Sequence, residues 1–481
     1  MKLIQPEYTF QTDDTAVQRL YDTALAKCRK NLTHFGEDRV LVEGGGYEKI
    51  WLETQPMGGE MFALHDVEAA LNNQLLFMRH QRADGRLPGS IQCHPDGTVE
   101  PQFNKLQGFC MPWHAMNMYY RTGCDPDYLR MLERTLAGFD RWLWRTRSVS
   151  GDGCLSTFCV YDTGEDNAVR YGDAPNYCES DEPPQGFRSV PMASMDVTSY
   201  SYAARDTLAE IARIRGDAAG ERRWRTAAQE VARAIRSRLW DDRRGACFDR
   251  FPSGERNPVL CHNTLRCMHW GSVDQAMADR FVREHLTNPA EFWTALPLPS
   301  VAANDPAFRN APENNWSGQC EGLTYQRAIL ALERYGHEKL VTALGRKLLK
   351  AVTAGGCVFT QQFDPFTGEP SRVGMISHVP LKPGDPEPFQ DAYGPTLLSV
   401  LGYLRHMHGI DQVRDAWWFS VAKGLSFCCS LVQGERRLCV ESDGCTACVT
   451  VDNREIWRGD CGVRVVTDLR GNIRQIRTIE E

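Results

Sequence analysis

The sequence predicts an all-α (α/α)6 toroid followed by a small C-terminal all-β domain. Helix-like patterns follow one another from about residue 12 to 410. They alternate between a mixed, aromatic kind with few charges and an amphipathic kind with Arg and Glu on one face. Two concentric layers explain this alternation, because an inner helix is covered on both sides and an outer helix is half exposed to water. We therefore expect a barrel in residues 1–411 and a β-rich domain in residues 412–481.

The helical segments occur in pairs. The first, DDTAVQRLYDTALAKCRKNL, has apolar residues three and four apart behind an Asp that can cap the helix. The later segments are GGEMFALHDVEAALNNQLLFMRHQ, LQGFCMPWHAMNMYYRTG, DPDYLRMLERTLAGFDRWLWRTR, SMDVTSYSYAARDTLAEIARIRG, AAGERRWRTAAQEVARAIRSRLW, GSVDQAMADRFVREHL, CEGLTYQRAILALERYG, HEKLVTALGRKLLKAV and YGPTLLSVLGYLRHMHG. Long loops rich in Gly, Pro and aromatic residues separate the pairs. Such loops are expected where a site is built on one rim of a barrel.

The C-terminal region has short β-rich runs divided by the turns QGER, SDG, VDN and LRGN. We expect this domain to pack on the barrel or on another subunit, so a homo-oligomer stays open. Several cysteines fall here, including the pair Cys445 and Cys448. Residues three apart on a strand point to opposite faces, so this pair favours strand packing over a zinc site. No metal is predicted.

Composition limits the classes of function. Hydrophobic residues make up 42% of the 481 residues and charged residues 24%, as in a soluble globular protein. A net charge of -7 without a basic block argues against nucleic-acid and membrane-surface partners and favours an uncharged substrate. The start, MKLIQPEYTF, lacks a long apolar core, and no apolar run reaches about 18 residues. With 18 scattered cysteines, this predicts reduced thiols and a cytoplasmic location.

Three segments place carboxylates among aromatic residues in loop-like settings. They are GGGYEKIWLETQPMGGEMFALHD, YDTGEDNAVRYGD and ENNWSGQCEGLTYQR. The residues expected to contact substrate are Trp51, Glu53, Glu60, Asp66 and Trp316, with Asp166, Glu313 and Glu321 as further carboxylates. This mixture suits sugar recognition, because the apolar face of a sugar stacks on an aromatic ring while carboxylates bind hydroxyls.

A glycosidase needs one carboxylic acid to protonate the leaving oxygen. An inverting glycosidase also needs a carboxylate base that activates water, about 6.5–9.5 Å from the acid. Composition alone leaves open which carboxylates take these roles.

The order of several segments resembles a known family. YDTGEDNAVRYGD is followed about thirty residues later by SMDVTSYSYAARDTLAEIA. The segments NNWSGQCEGLTYQRAILALERYG, FTQQFDPFTGEP and YGPTLLSVL come after them. Over most of residues 40–405 this order resembles glycoside hydrolase family 63 and its mannosylglycerate- and glucosylglycerate-hydrolase-like relatives. The resemblance implies a six-hairpin (α/α)6 barrel that hydrolyses α-glycosides with inversion and needs no cofactor.

The resemblance also implies roles for individual residues. Asp166, in GEDN, matches the general acid of the family. Asn167 and Arg170 would orient it and hold sugar hydroxyls. Asp196 matches an acidic residue that begins a helix in the family, and Tyr393, which begins the last matching segment, is expected to contact substrate.

Gln361 occupies the position at which the family carries its general base. An amide cannot take a proton from water at neutral pH. We expect Gln361 to bind a hydroxyl or a water, and Glu321, which replaces an apolar residue of the related motif, to act as a relocated base. The sequence thus predicts a hydrolase for a small glycoside or oligosaccharide.

Two alternatives stay open. In a phosphorylase, inorganic phosphate is itself the nucleophile, so only the acid is needed; a dense Arg, Lys or Gly-rich phosphate cradle is not found beside these loops. The other alternative is a sugar-binding protein without turnover, against which the intact Asp166 loop argues.

Overall fold

The computed structural model describes residues 3–312, 315–372 and 391–481, so Glu313 lies outside the described residues. Twelve α-helices occur in this part of the chain. They are α1 (Thr15–Lys30), α2 (Gln55–Phe62), α3 (Val67–Arg79), α4 (Met111–Arg121), α5 (Pro126–Arg147), α6 (Met195–Ile214), α7 (Ala218–Ala234), α8 (Asn263–Trp270), α9 (Gln275–Phe281), α10 (Gly322–Glu333), α11 (Glu338–Ala354) and α12 (Gly394–His408). A π-helical turn continues α7 to Leu239 and α9 to Leu286.

The even-numbered helices form an inner layer. They are buried over most of their length, and each contacts the next even-numbered helix, with α12 returning to α2. The odd-numbered helices lie outside this ring. Of these, α3 is buried over most of its length, whereas α7 buries only Gly220, Ala228, Val231 and Ala234. The closed ring is the arrangement that the alternating sequence pattern predicts.

Local capping chemistry sets several helix starts. The Asp14 side chain accepts hydrogen bonds from the backbone N–H groups of Ala16 and Val17 at the start of α1. Asp125 and Ser194 cap α5 and α6 in the same way. These caps satisfy backbone donors that have no partner inside the helix, so the helices begin where the sequence places an Asp or Ser.

Two kinds of loop connect the helices. Connections from an inner helix to the next outer one are short, as in residues 63–66 and 215–217. Connections from an outer helix to the next inner one are long, as in residues 31–54 and 148–194. The long loops therefore gather at the end of the barrel where the inner helices begin.

Two helical segments differ from the sequence expectation. The single helix expected around Asp66 is two helices, because α2 ends at Phe62 and the Asp66 side chain caps α3 by accepting from the backbone N–H of Ala69. The inner helix α8 is not predicted, because its eight residues are too few to show a clear helical period.

Twenty strands accompany the helices in the described chain. Those outside the C-terminal domain are β1 (Glu7–Thr12), β2 (Leu32–Phe35), β3 (Asp38–Leu41), β4 (Ile50–Trp51), β5 (Ser90–Cys93), β6 (Val99–Gln102), β7 (Ser156–Thr157), β8 (Met192–Ala193), β9 (Trp240–Asp241), β10 (Ala246–Cys247), β11 (Cys320–Glu321) and β12 (Gln362–Phe363). Those of the C-terminal domain are β13 (Gly409–Val413), β14 (Ala416–Val421), β15 (Ser426–Gln433), β16 (Arg436–Asp443), β17 (Thr446–Val451), β18 (Arg454–Asp460), β19 (Val463–Asp468) and β20 (Ile473–Thr478).

The C-terminal domain contains two antiparallel sheets, ordered β1-β15-β16-β17-β18 and β13-β14-β19-β20. Two strands of these sheets begin before residue 412, where the expected domain starts. The strand β13 already begins at Gly409, and the N-terminal strand β1 pairs along β15. This pairing is invisible in local sequence patterns, because more than 400 residues separate Thr9 from its partner Ser430. Among the described helices, none is long and apolar enough to cross a membrane.

Candidate active site

A cavity of about 380 Å³ opens at the end of the barrel where the long loops gather. Its lining comes from loops that lead into inner helices. The lining residues are Glu43, Gly46, Tyr47, Glu48, Lys49, Trp51, Glu53, Lys105, Gln107, Tyr161, Gly164, Asp166, Tyr177, Trp316, Leu323, Gln361 and Tyr393. Six of the twelve sequence-predicted site residues are among them: Trp51, Glu53, Asp166, Trp316, Gln361 and Tyr393.

Asp166 lies half-buried in the cavity wall, between two short 3-10 turns. Burial raises the pKa of its carboxyl to about 7; the negative charge of Glu53 adds to the rise, and Lys105 opposes it. A carboxylic acid that keeps its proton near neutral pH can protonate a leaving group.

The Asp166 loop is fixed from two sides. Gly164 has a φ of +73°, and a Cβ at this position would collide with the Glu53 carboxyl. On the other side, the Ser317 hydroxyl donates to the carbonyl of Asn167 at 2.8 Å and accepts from the backbone N–H of Val169 at 3.0 Å. The Asn167 side chain itself is exposed and does not line the cavity.

Glu53 lies beneath this loop and is only 3% exposed. Its carboxylate accepts a hydrogen bond from Arg327 at 2.6 Å and one from the Gln107 amide at 3.4 Å. Burial raises the pKa of Glu53, and Arg327 and Arg266 offset part of the rise. Arg327 thus pairs with the Glu53 carboxylate, and the Glu53 charge in turn raises the pKa of Asp166.

Arg170 and Asp196 do not line the cavity, contrary to the substrate contacts expected of them. Both are buried beneath the loop, where Arg170 Nη2 donates to Asp196 at 2.7 Å and pairs with Glu165, and Arg170 Nη1 pairs with Asp249. Arg266 Nε lies 2.9 Å from the other Asp196 oxygen. These partners leave neither group free for a sugar, so the pair holds the loop from below.

Glu60 and Asp66 also lie away from the cavity. Glu60 accepts from Arg121 at 2.9 Å and lies 3.1 Å from His114, and it faces a separate cavity of about 400 Å³ beside the β-domain. Burial opposes its ionisation, but Arg121 and His114 outweigh burial and lower its pKa to about 2. Asp66 caps α3 and pairs with Arg39 at 2.8 Å. Both acids have structural partners that sequence spacing does not reveal.

Glu321 and Gln361 come together where two short strands pair. Glu321 of β11 is opposite Gln362 of β12, and the backbone N–H of Gly322 donates to the Gln361 carbonyl at 2.9 Å. Glu321 is completely buried, and burial raises its pKa well above the usual value, with Asp166 and Glu53 adding to the rise and the Gln361 side chain opposing it. Glu321 thus lies beside Gln361 and within the field of Asp166, although it is not part of the cavity wall.

Sequence patterns did not single out Glu43, which is one of the four carboxylates in the wall. Glu43 is buried and accepts a hydrogen bond from the Tyr393 hydroxyl at 3.2 Å. Burial raises its pKa well above the usual value, and Glu53 adds to the rise. The signal was the run of three glycines after Glu43, each with a positive φ, which turns the chain sharply at the cavity.

Lys105 is a second residue that sequence patterns did not single out. Its Nζ lies 4.9 Å from the ring centre of Trp51, 5.3 Å from that of Tyr161 and 4.9 Å from that of Tyr177. Burial lowers the pKa of Lys105 to about 8, while Asp166 opposes the fall. An ammonium held among aromatic rings gives one part of the cavity a positive charge.

The two predicted tryptophans differ in their freedom to stack on a ligand. Trp51 is half-buried, with Lys105 and, at 5.5 Å, Lys49 over its ring. Trp316 is only 3% exposed and packs edge-on against His262 with ring centres 5.7 Å apart. Trp51 is therefore the better placed of the two to contact a sugar.

Within the described part of the chain, the one group of His, Cys, Asp and Glu side chains with metal-ligand proximity is Cys428, Cys439 and Glu441. It lies on the β-domain, outside this cavity.

Comparison with known proteins identifies the family. Residues 60–378, more than half of the chain, match the mannosylglycerate hydrolase MGH1-like glycoside hydrolase domain. The match contains Asp166, Glu321 and Gln361. The chain belongs to this family. As an MGH1-like glycoside hydrolase, it is a glycosidase, and the resemblance to the family 63 enzymes is confirmed.

Solved structures share the fold of this MGH1-like hydrolase. A family 63 mannosylglycerate hydrolase from Thermus thermophilus matches 80% of this chain and 100% of its own at 18% identity, with a TM-score of 0.64. Neutral trehalase from Saccharomyces cerevisiae matches 77% of this chain and 74% of its own at 13% identity, with a TM-score of 0.56. An α-L-rhamnosidase from Dictyoglumus thermophilum matches 94% of this chain and 44% of its own at 11% identity, with a TM-score of 0.58.

Proposed function

We propose that this glycosidase is an (α/α)6-toroid enzyme that cleaves a small α-glycoside with inversion, with Asp166 as the general acid. One observation carries the proposal: a carboxyl with a pKa raised to about 7 lies in the wall of a cavity of about 380 Å³, the size of a small-ligand site. In the resting enzyme Asp166 holds a proton, which it gives to the glycosidic oxygen as the bond breaks.

Glu321 is the proposed general base. Its buried carboxyl lies against Gln361, at the position where the family resemblance places the base. Burial is the main cause that raises the pKa of Glu321, and protonation of Asp166 in the active form removes the smaller contribution of the Asp166 charge. Gln361, which accepts a hydrogen bond from Tyr47 at 3.1 Å, would hold the attacking water or a hydroxyl. Glu43 is the rival base, because it lines the cavity directly.

The substrate proposed for the cavity is a sugar linked to a small acidic group. The overall charge favours an uncharged substrate, and the cavity wall carries four carboxyls, but the Lys105 ammonium gives one part of the wall a positive charge. A carboxylate on the leaving group would pair with Lys105 while the sugar lies against Trp51. A structural relative has been solved in complex with Tris and D-glycerate, which is an acid of this kind.

The test is hydrolysis of a glycosyl glycerate, followed by NMR to determine the anomer first released. The inverted anomer is expected. Asp166→Asn should lower kcat by about 100- to 10,000-fold, since it removes the general acid. Glu182→Gln is the matched control: Glu182 lies on the surface, outside the cavity wall, so this variant should keep full activity. Retention of configuration, or full activity of Asp166→Asn, would refute the mechanism.

The two alternative functions, phosphorolysis and sugar binding without turnover, predict different results in this assay. Activity that requires inorganic phosphate and releases a sugar phosphate would replace hydrolysis by phosphorolysis, with Lys105 and Lys49 as basic groups of the cavity wall. Sugar binding by calorimetry with no turnover of any glycoside would indicate a binding protein. Lys105→Met separates the substrate classes, since it should raise KM for the glycosyl glycerate and leave KM for a neutral glycoside unchanged.

A further inference from the structure

Three cysteines and a glutamate share the outer face of the five-stranded sheet. Cys428 of β15 is directly opposite Glu441 of β16, and Glu441 is directly opposite Cys448 of β17. Cys439 precedes Glu441 by two residues on β16. Directly paired residues, and residues two apart on a strand, project from the same face of a sheet. The four side chains therefore form a compact group, which the neighbouring Cys429 and Val440, buried on the inner face, do not join.

The separations within this group match those of ligands around one ion. The Sγ atoms of Cys428 and Cys439 are 4.0 Å apart, and Cys428 Sγ is 4.0 Å from Glu441 Oε1. Ligand atoms of all three residues lie within 4.8 Å of one another. Two sulfurs bound to zinc at about 2.3 Å and tetrahedral angles are about 3.8 Å apart. A disulfide would instead need an S–S distance of about 2.05 Å.

The surroundings bring a further thiol and a further acid to the same face. The Glu441 carboxylate is exposed, and the Sγ of Cys448 lies 3.3 Å from Glu455, which brings a second acid to the same face. The neighbouring basic group Arg458 is bound to Glu455 at 2.8 Å. Thiolates select soft or borderline ions such as Zn²⁺ over Mg²⁺ and Ca²⁺.

We propose that Cys428, Cys439 and Glu441, with Cys448 or a water as the fourth ligand, form a thiolate site for one Zn²⁺ on the β-domain. Each coordinating thiol releases its proton to solvent, and no electron is transferred. The ion joins β15 to β16, and to β17 where Cys448 binds. This site departs from the expectation that the protein holds no metal, and it is separate from the carboxylates that carry glycoside hydrolysis.

Cobalt titration of the full chain tests the site. The protein is freed of metal with a chelator and kept reduced with a phosphine, and Co²⁺ is added while thiolate-to-cobalt absorption is recorded. One equivalent per chain should produce the absorption, and Zn²⁺ should abolish it. The variants Cys428→Ser and Cys439→Ser should not show the thiolate-to-cobalt absorption that saturates at one equivalent of Co²⁺. Cys445→Ser is the matched control, because Cys445 is exposed at the turn after β16 and lies outside the group, so its titration should match that of the parent protein.

Folding is checked separately by thermal unfolding. Zn²⁺ should raise the melting temperature of the parent protein and of Cys445→Ser but not that of Cys428→Ser, since only a folded site binds the ion. Three results would overturn the proposal: no thiolate absorption, equal loss in Cys445→Ser, or, in protein purified without reductant, a mass two hydrogens lower than the reduced chain, with Cys428 and Cys439 joined as a disulfide.

Discussion

The buried carboxyl of Glu321 lies beside the side chain of Gln361, because β11, which carries Glu321, pairs with β12, which begins directly after Gln361. Gln361 thus places an amide where the related enzymes have their general base, and the carboxyl of Glu321 is its neighbour. A relocated base needs this arrangement, since the new carboxyl must reach the water that the old one activated.

Exchange of the two side chains tests the base. Glu321→Gln is expected to lower kcat by about 100- to 10,000-fold, because no carboxylate then activates the water. Adding Gln361→Glu to this variant should restore part of the activity. Steady-state kinetics on the glycosyl glycerate measure both changes. Glu43→Gln is the comparison variant; if it abolishes activity while Glu321→Gln does not, Glu43 is the base.

The pH dependence of kcat/KM should report the ionisation of Asp166. Asp166 must be protonated, so kcat/KM should fall as the pH rises through about 7. Glu53→Gln removes a negative neighbour, lowers the pKa of Asp166 and moves this limb to lower pH. Lys105→Met removes a positive neighbour, raises that pKa and moves the limb to higher pH. Shifts in the same direction in the two variants would contradict the assignment of the limb to Asp166.

Loss of Arg170 should destabilise the barrel. Arg170→Met leaves the buried Asp249 without its ion-pair partner and removes one of the two arginines that pair with Glu165 and Asp196, so we expect the free energy of unfolding to fall by about 3–5 kcal/mol. Arg188→Met is the control, since the Arg188 side chain is 97% exposed and its ion pair is worth at most about 1 kcal/mol. Urea unfolding followed by circular dichroism measures both; equal stabilities would show that the buried pairs contribute little.

Asp66 should affect stability but not substrate binding. Asp66→Ala removes the cap of α3, which lowers the free energy of unfolding by about 1 kcal/mol, and KM is expected to stay unchanged. Trp51→Ala, in the cavity wall, should instead raise KM. A raised KM in Asp66→Ala with normal stability would place Asp66 at the substrate after all.

Sequence patterns predicted those parts of the site that local chemistry fixes. The loop around Asp166 is recognisable from GEDN and its neighbours, and Trp51, Glu53, Trp316, Gln361 and Tyr393 lie in segments that lead into inner helices. Glu43 and Lys105 were missed because a single charged residue in a loop carries no period or spacing. Their place in the cavity depends on which loops meet at the end of the barrel.

The sequence by itself determined the two layers of helices, because helix periodicity and the balance of charge along each segment are local properties. It also determined the family, through the order of its loop segments. Only the tertiary structure decided which carboxylates meet the cavity and which are neutralised beneath it. Arg170 and Asp196 were expected at the substrate, yet they pair with each other, because residues 26 apart in sequence are brought within 2.7 Å by the fold. The pKa of Asp166 has the same origin, since burial and the charges of Glu53 and Lys105 exist only once three separate loops have packed together.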